Sequence, residues 1–269
     1  MTAEGKVSEK RKRKRSWREV FRAFGRAHRK ASVQMESSAP LLKHLDELRI
    51  RIFKIFLALI ITTGISFAFS QKIIEYLASP IGGISELVSI ELTENIAIFM
   101  KVSLLGGFVL GMPVIVYQIM AFVLPGLKRN ERAWLFVMVP FATLLFAGGV
   151  AFTWFVMLPS AIPFLTNFMG ITTQVRPENY FSFITRIMFW IGICFEMPLI
   201  IMFLAKLKIV TAKQLVSGWR YAIVLMAFVA AAVTPTVDPV NMGLVMAPLL
   251  GLYVISIVLA AIVGRSRND

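Results

Sequence analysis

Apolar residues run in long blocks along this chain, and polar residues collect in the gaps between them. The blocks cover residues 52–69, 96–120, 134–158, 181–205, about 220–236 and about 242–262. A helix needs roughly 20 apolar residues to cross a bilayer, so the pattern predicts six helical spans. A closed β-barrel would need short segments of alternating polarity, which this pattern does not contain. The expected fold class is an all-α integral membrane protein. Spans five and six look short and carry Pro235, Pro239 and Pro248. Short spans imply a locally thinned bilayer or tilted neighbours.

The gaps are unequal. Residues 70–95 form a long connection with Pro80, Gly82 and Gly83, suited to short apolar helices that cap a membrane face. Residues 159–180 form a second, with Pro159, Pro163 and Pro177, and 237–241 is only a turn. The two halves differ in length, which counts against the internal repeat of many transporters. Three regions follow: a basic extension over 1–34, a membrane domain over 35–264, and a short tail over 265–269.

Composition supports this reading. Of 269 residues, 57% are apolar, and the mean hydropathy is +0.74. A net charge of +14 could suggest nucleic acid, but the basic residues sit on alternate connections. Lys128, Arg129 and Arg132 follow span two, Lys206, Lys208, Lys213 and Arg220 follow span four, and Arg265 and Arg267 follow span six. Excess Lys and Arg mark cytoplasmic loops, which places both termini in the cytoplasm. Within the extension, Lys10 to Arg15 reads KRKRKR. Trp17, Val20, Phe21, Phe24 and His28 then recur at helical spacing among arginines. A basic amphipathic helix on an anionic membrane surface and a solvated tail both fit that pattern. The single cysteine, Cys194, lies inside a span and cannot close an intramolecular disulfide.

Outside the extension and the final Asp269, four acids stand out against the basic cytoplasmic side: Glu36, Asp46, Glu47 and Glu131. Asp46 and Glu47 lie in HLDELRIRIF, at the mouth of the first span. Glu47 and Arg51 are spaced for a helical ion pair, so a local salt bridge explains Glu47 as readily as a docking site for a cationic ligand. Glu131 lies in LPGLKRNERAW, where an acid in a first helical turn is favoured by the macrodipole. Glu196, in FEMP, is inside span four and two residues before Pro198. A central charged residue costs about 2.5–3.5 kcal/mol on insertion scales, so it should face protein or a water-filled cavity. A structural hydrogen bond to Gln118, Thr185 or another span is the plainer reading; a functional polar dent in the membrane wall is the other. Lys101 and Arg186 read as side chains that snorkel toward the outer interface. Gly106, Gly107, Gly111 and Pro113 permit close helix contact and a bend. No phosphate loop, nucleophile–base set or metal-ligand spacing is found, so an enzyme and a cofactor are not expected.

Five segments together resemble the TatC family, the polytopic component of the twin-arginine protein translocase. They are HLDELRIR; the step Ala78-Ser79-Pro80; PVIVYQIMAFVLPGLKRNER from Pro113 to Arg132; FEMP; and Thr234-Pro235 with Asp238. The likeness covers about residues 38–262. Val254 follows Tyr253 where the family often has an acid, and Ala133 replaces an arginine often seen after the loop glutamate.

The resemblance implies a six-span, glove-like arrangement with cytoplasmic termini in the cytoplasmic (inner) membrane. It implies a receptor for the twin-arginine signal peptides of folded substrates, driven by the proton-motive force. It further implies small single-span partners of the TatA/TatB type, self-association and no nucleic acid. By similarity, Glu47 and Glu131 would hold the paired arginines, with Arg49 and Phe122 on the same surface. Glu196 would be the intramembrane acid of partner contact, near Gln118, and Pro80 and Asp238 would belong to outer loops. A secondary transporter or channel using Glu196 as its ion site is the alternative.

Overall fold

The computed structural model describes residues 44–123, 134–166, 175–233 and 239–265. The described residues are helical throughout, apart from short turns. The chain divides into two compact units, residues 1–53 and 54–269.

Helix α1, His44–Ile81, tightens into a 3₁₀ turn over Ser79–Ile81. Gly82 and Gly83 end it at φ of 98° and 112°, a region an L side chain rarely adopts. A further 3₁₀ turn, Ile84–Glu86, leads to α2, Glu94–Val123. Helix α3, Trp134–Phe152, passes through a π-type turn, Thr153–Met157, into α4, Leu158–Thr166. Pro159 explains that turn. Its ring cannot sit against the carbonyl four residues earlier, so the helix widens just before it. Helices α5, Pro177–Phe195, and α6, Met197–Lys206, meet at Glu196. Helix α7, Ala212–Ser217, starts on a reciprocal cap between Thr211 and Gln214. Helices α8, Trp219–Val233, and α9, Pro239–Arg265, complete the chain.

Five helical stretches are long and apolar enough to cross a membrane; α8 is apolar but shorter. Its 15 residues rise about 22 Å, against about 30 Å of hydrocarbon, so span five is short as expected. Span six is not. Helix α9 has 27 residues because Pro239 occupies its first position, where no N–H is required, and Pro248 is accommodated within it. Two expected connections also shrink. Helix continues from residue 70 to Ile81 and from residue 159 to Thr166: Pro80 falls in the first turn of a 3₁₀ segment, and the π-type turn Thr153–Met157 lets the helix run on past Pro159.

Lipid gives helices no hydrophobic reason to associate, so close van der Waals contact must hold them. At the α1–α2 crossing, a Cβ on Gly107 would lie 2.6 Å from Thr63 Cα. At the α3–α5 crossing, a Cβ on Gly149 would lie 2.9 Å from Gly192 Cα. Neither crossing has room for a side chain. Three buried clusters fill the rest. One joins the end of α1 to α2, α4 and α5 around Val102, Leu158, Phe181 and Ile184. Another joins α2, α3 and α6 around Phe146, Leu199 and Phe203. The third joins α5, α8 and α9 around Ile191, Ala230 and Leu249.

Candidate functional site

The first unit carries Glu47 near the start of the described part of α1. Arg51, one turn later, donates to Glu47 Oε1 from Nε at 3.1 Å and from a terminal nitrogen at 2.5 Å. His44 Nδ1 lies 3.9 Å from Oε2. The ion pair suggested by spacing is therefore formed. It still leaves the Glu47 side chain 34% exposed, with Oε2 turned toward a weak partner. Asp46 and Arg49 are exposed on the same helical segment.

In the second unit, Gln118 and Phe122 stand four residues apart near the end of α2 and so share one face of it. Gln118 is buried and Phe122 is half-buried. Glu131 and Asp238 lie outside the described residues. Pro80 is exposed within the 3₁₀ turn that closes α1, where its missing N–H is harmless.

Glu196 occupies the joint between α5 and α6. Its N–H donates to the Ile193 carbonyl at 3.0 Å, a tightened bond, and its carbonyl accepts from Ile200 N–H at 2.9 Å. Pro198, in the first turn of α6, forces the break because it cannot continue the hydrogen-bond ladder. The side chain is only 7% exposed. Its chain neighbours divide between two clusters: Leu199 and Phe203 belong to one, and Phe195 and Met197 pack against another. Its Oε1 has no hydrogen-bond partner among the described residues. Thr185, one of the partners considered for it, instead donates to the Phe181 carbonyl of its own helix at 2.6 Å. A buried, unpartnered polar atom is costly, so this oxygen calls for a partner from outside the chain, whether water, an ion or another protein.

The largest polar network was not foreseen. Glu94 is 1% exposed, and both its oxygens are engaged. One accepts from Arg176, through Nε at 3.0 Å and through a terminal nitrogen. The other accepts from the Ser89 hydroxyl at 3.0 Å and from Ile90 N–H at 3.3 Å. Arg176 also reaches Glu91 at 3.1 Å. Bonds to Glu94 first, then Glu91, hold the Arg176 guanidinium above its ordinary range and keep it charged. The clamp ties the start of α2 to the start of α5. Sequence shows only an arginine just before a proline-started helix and two acids at the start of another; Glu94 and Arg176 pair across 82 residues.

Fold and site together define a multi-pass helical membrane protein that carries an acid at a broken span and another at the mouth of its first helix. The family model for TatC, Sec-independent protein translocase protein, matches residues 43–248. The chloroplastic Sec-independent protein translocase protein TATC of Arabidopsis thaliana is 37% identical over 241 residues, covering 88% of this chain and 71% of that protein. The TatC protein of Deinococcus radiodurans is 34% identical over 235 residues, covering 84% and 87%. A crystal structure of the twin arginine translocase receptor TatC superposes with a TM-score of 0.72 at 34% identity, over 82% of this chain and 99% of that one. The chain belongs to the TatC family of Sec-independent protein translocase proteins.

Proposed function

We propose that this chain captures twin-arginine signal peptides and serves as the core subunit of a translocase for folded proteins. It acts by binding rather than by catalysis. It lies in the cytoplasmic membrane with both termini in the cytoplasm, and its work is coupled to the proton-motive force. Small single-span proteins of the TatA/TatB type are its partners.

The observation that carries the reading is Glu47: a half-exposed carboxylate on a helix segment that also carries Asp46, Arg49 and Arg51, with one oxygen committed to Arg51. Two adjacent guanidinium groups require two carboxylates at a membrane surface. A planar guanidinium grips a carboxylate in two places, which an ammonium cannot do. Glu47 supplies one such group and Glu131 the other, with Arg49 and Phe122 bordering the same peptide. The apolar stretch behind the arginines then lies along the spans, and Glu196 with Gln118 receives a partner helix. Pro80 and Asp238 shape the outer loops.

The test is photo-crosslinking of a twin-arginine signal peptide to the full chain in detergent. Glu47→Gln and Glu131→Gln each reduce capture about ten- to a hundredfold, since shielded charge-assisted bonds contribute roughly 1.5–3 kcal/mol. Undiminished crosslinking in both variants defeats the assignment.

A second reading rests on the unpartnered Glu196 Oε1, which also suits an ion-carrying acid in a solute transporter. Uptake of a small solute into liposomes by the chain alone would favour it.

A further inference from the structure

Arg186 is the one exposed charge set well inside α5, nine residues after Pro177. That places its Cα about 14 Å along the helix, well below the helix start. A cation at such depth normally has a partner. Among the described residues none is found for Arg186. Neighbouring Lys101, seven residues into α2, is engaged: Nζ lies 3.0 Å from Glu178 Oε1 and 2.7 Å from Ser182 Oγ. Glu178, Ser182 and Arg186 recur every four residues and form one stripe of α5. Both helices start at this end of the molecule, and helical side chains tilt toward their own N-terminus. The Lys101 contact with the first turn of α5 shows that tilt. The Arg186 stem therefore leans toward the headgroups at the Glu94 and Pro177 ends of α2 and α5.

Lys101, Ser182, Thr185 and Arg186 border a cavity of about 410 Å³. Its remaining walls are apolar: Leu59, Leu104, Leu105, Phe108, Phe189 and Trp190. Lys101 and Glu178 cancel, so the polar rim carries one uncompensated positive charge. The rim matches a single phosphodiester, and the apolar slot below it matches an acyl chain. We propose that this groove is a binding site for one anionic phospholipid, with Arg186 gripping the phosphate and the Leu104–Phe108–Phe189–Trp190 wall holding the chain. A guanidinium suits a phosphate because it offers two parallel donors, and basic pockets between spans are known hosts of acidic headgroups. Bilayer lipid already surrounds this face, so the ligand needs no route of entry.

Native mass spectrometry of the full chain in detergent tests the site, with added dioleoyl phosphatidylglycerol or dioleoyl phosphatidylcholine. The anionic lipid is expected to bind about tenfold more tightly. Arg186→Leu and Arg186→Gln are expected to erase that preference, and Arg186→Lys to keep part of it. Either neutral variant suffices, should the other fail to fold. A preference that survives neutralisation overturns the proposal, as does the absence of any preference in the unaltered chain. If inorganic phosphate displaces the lipid at millimolar concentration, the site belongs to the free ion and the lipid assignment fails. A photo-reactive residue in place of Trp190 provides the second arm in native membranes. Crosslinks to phospholipid support the site; crosslinks only to a single-span protein contradict it.

Discussion

Arg51 sits one helical turn after Glu47 and holds its Oε1 at 2.5 Å, so the acid at the mouth of the first span already has an arginine of its own. An incoming guanidinium must share or replace that contact. A helical pair of this spacing contributes only about 0.3–0.5 kcal/mol, a weak competitor. It does keep the carboxylate oriented and partly occupied.

Arg51→Gln should therefore leave the fold intact and strengthen capture of a twin-arginine peptide by a small factor, about two-fold, the equivalent of that pair energy. Fluorescence anisotropy with a labelled peptide measures it. A large loss of affinity would instead make Arg51 part of the binding surface.

The helix crossings make a sharper claim about stability. A Cβ on Gly149 would meet Gly192 Cα and the Phe195 ring at 2.9 Å, whereas one on Gly148 would meet nothing within 4 Å. Gly149→Val should cost about 1–3 kcal/mol through overpacking. Gly148→Ala, its neighbour, should be neutral or mildly stabilising, since a helical glycine costs about 1 kcal/mol relative to alanine. Thermal unfolding of the two variants in detergent separates the outcomes; equal melting temperatures would mean that α3 and α5 do not meet at this point.

Glu196 separates stability from function. Its Oε1 is buried and unpartnered, so Glu196→Met removes an unsatisfied atom while roughly preserving length. The variant should melt at or above the temperature of the unaltered chain and capture signal peptide normally, yet fail to export a folded substrate. Normal export would remove Glu196 from the mechanism. A marked fall in melting temperature would show that the acid is a structural anchor.

How much of this was legible beforehand varied with the kind of interaction. The apolar blocks located the five membrane-length helices and the shorter apolar helix α8, because hydrocarbon thickness imposes a length that few other causes produce. Helix ends were misplaced where polar or proline-bearing residues continued a helix, as at Gln71–Ile81 and Pro159–Thr166. Spacing alone predicted the Glu47–Arg51 pair, since four residues define a helical turn. Glu196 announced itself as an acid among apolar residues, though not as a buried carboxylate with an unpartnered oxygen. The glycines of α2 signalled a close helix contact, but not that Thr63 would be the partner of Gly107. The Glu94–Arg176 clamp joins distant segments and has no local signature.

The central claim is recognition of paired guanidinium groups, and one titration addresses it most directly. A signal peptide with two arginines, and the same peptide with two lysines, are titrated against the full chain and against Glu47→Gln. The unaltered chain is expected to bind the arginine peptide at least tenfold more tightly, because lysine cannot make the two-point contact. Glu47→Gln is expected to lose most of that preference. Equal affinity for the two peptides in the unaltered chain would contradict the claim.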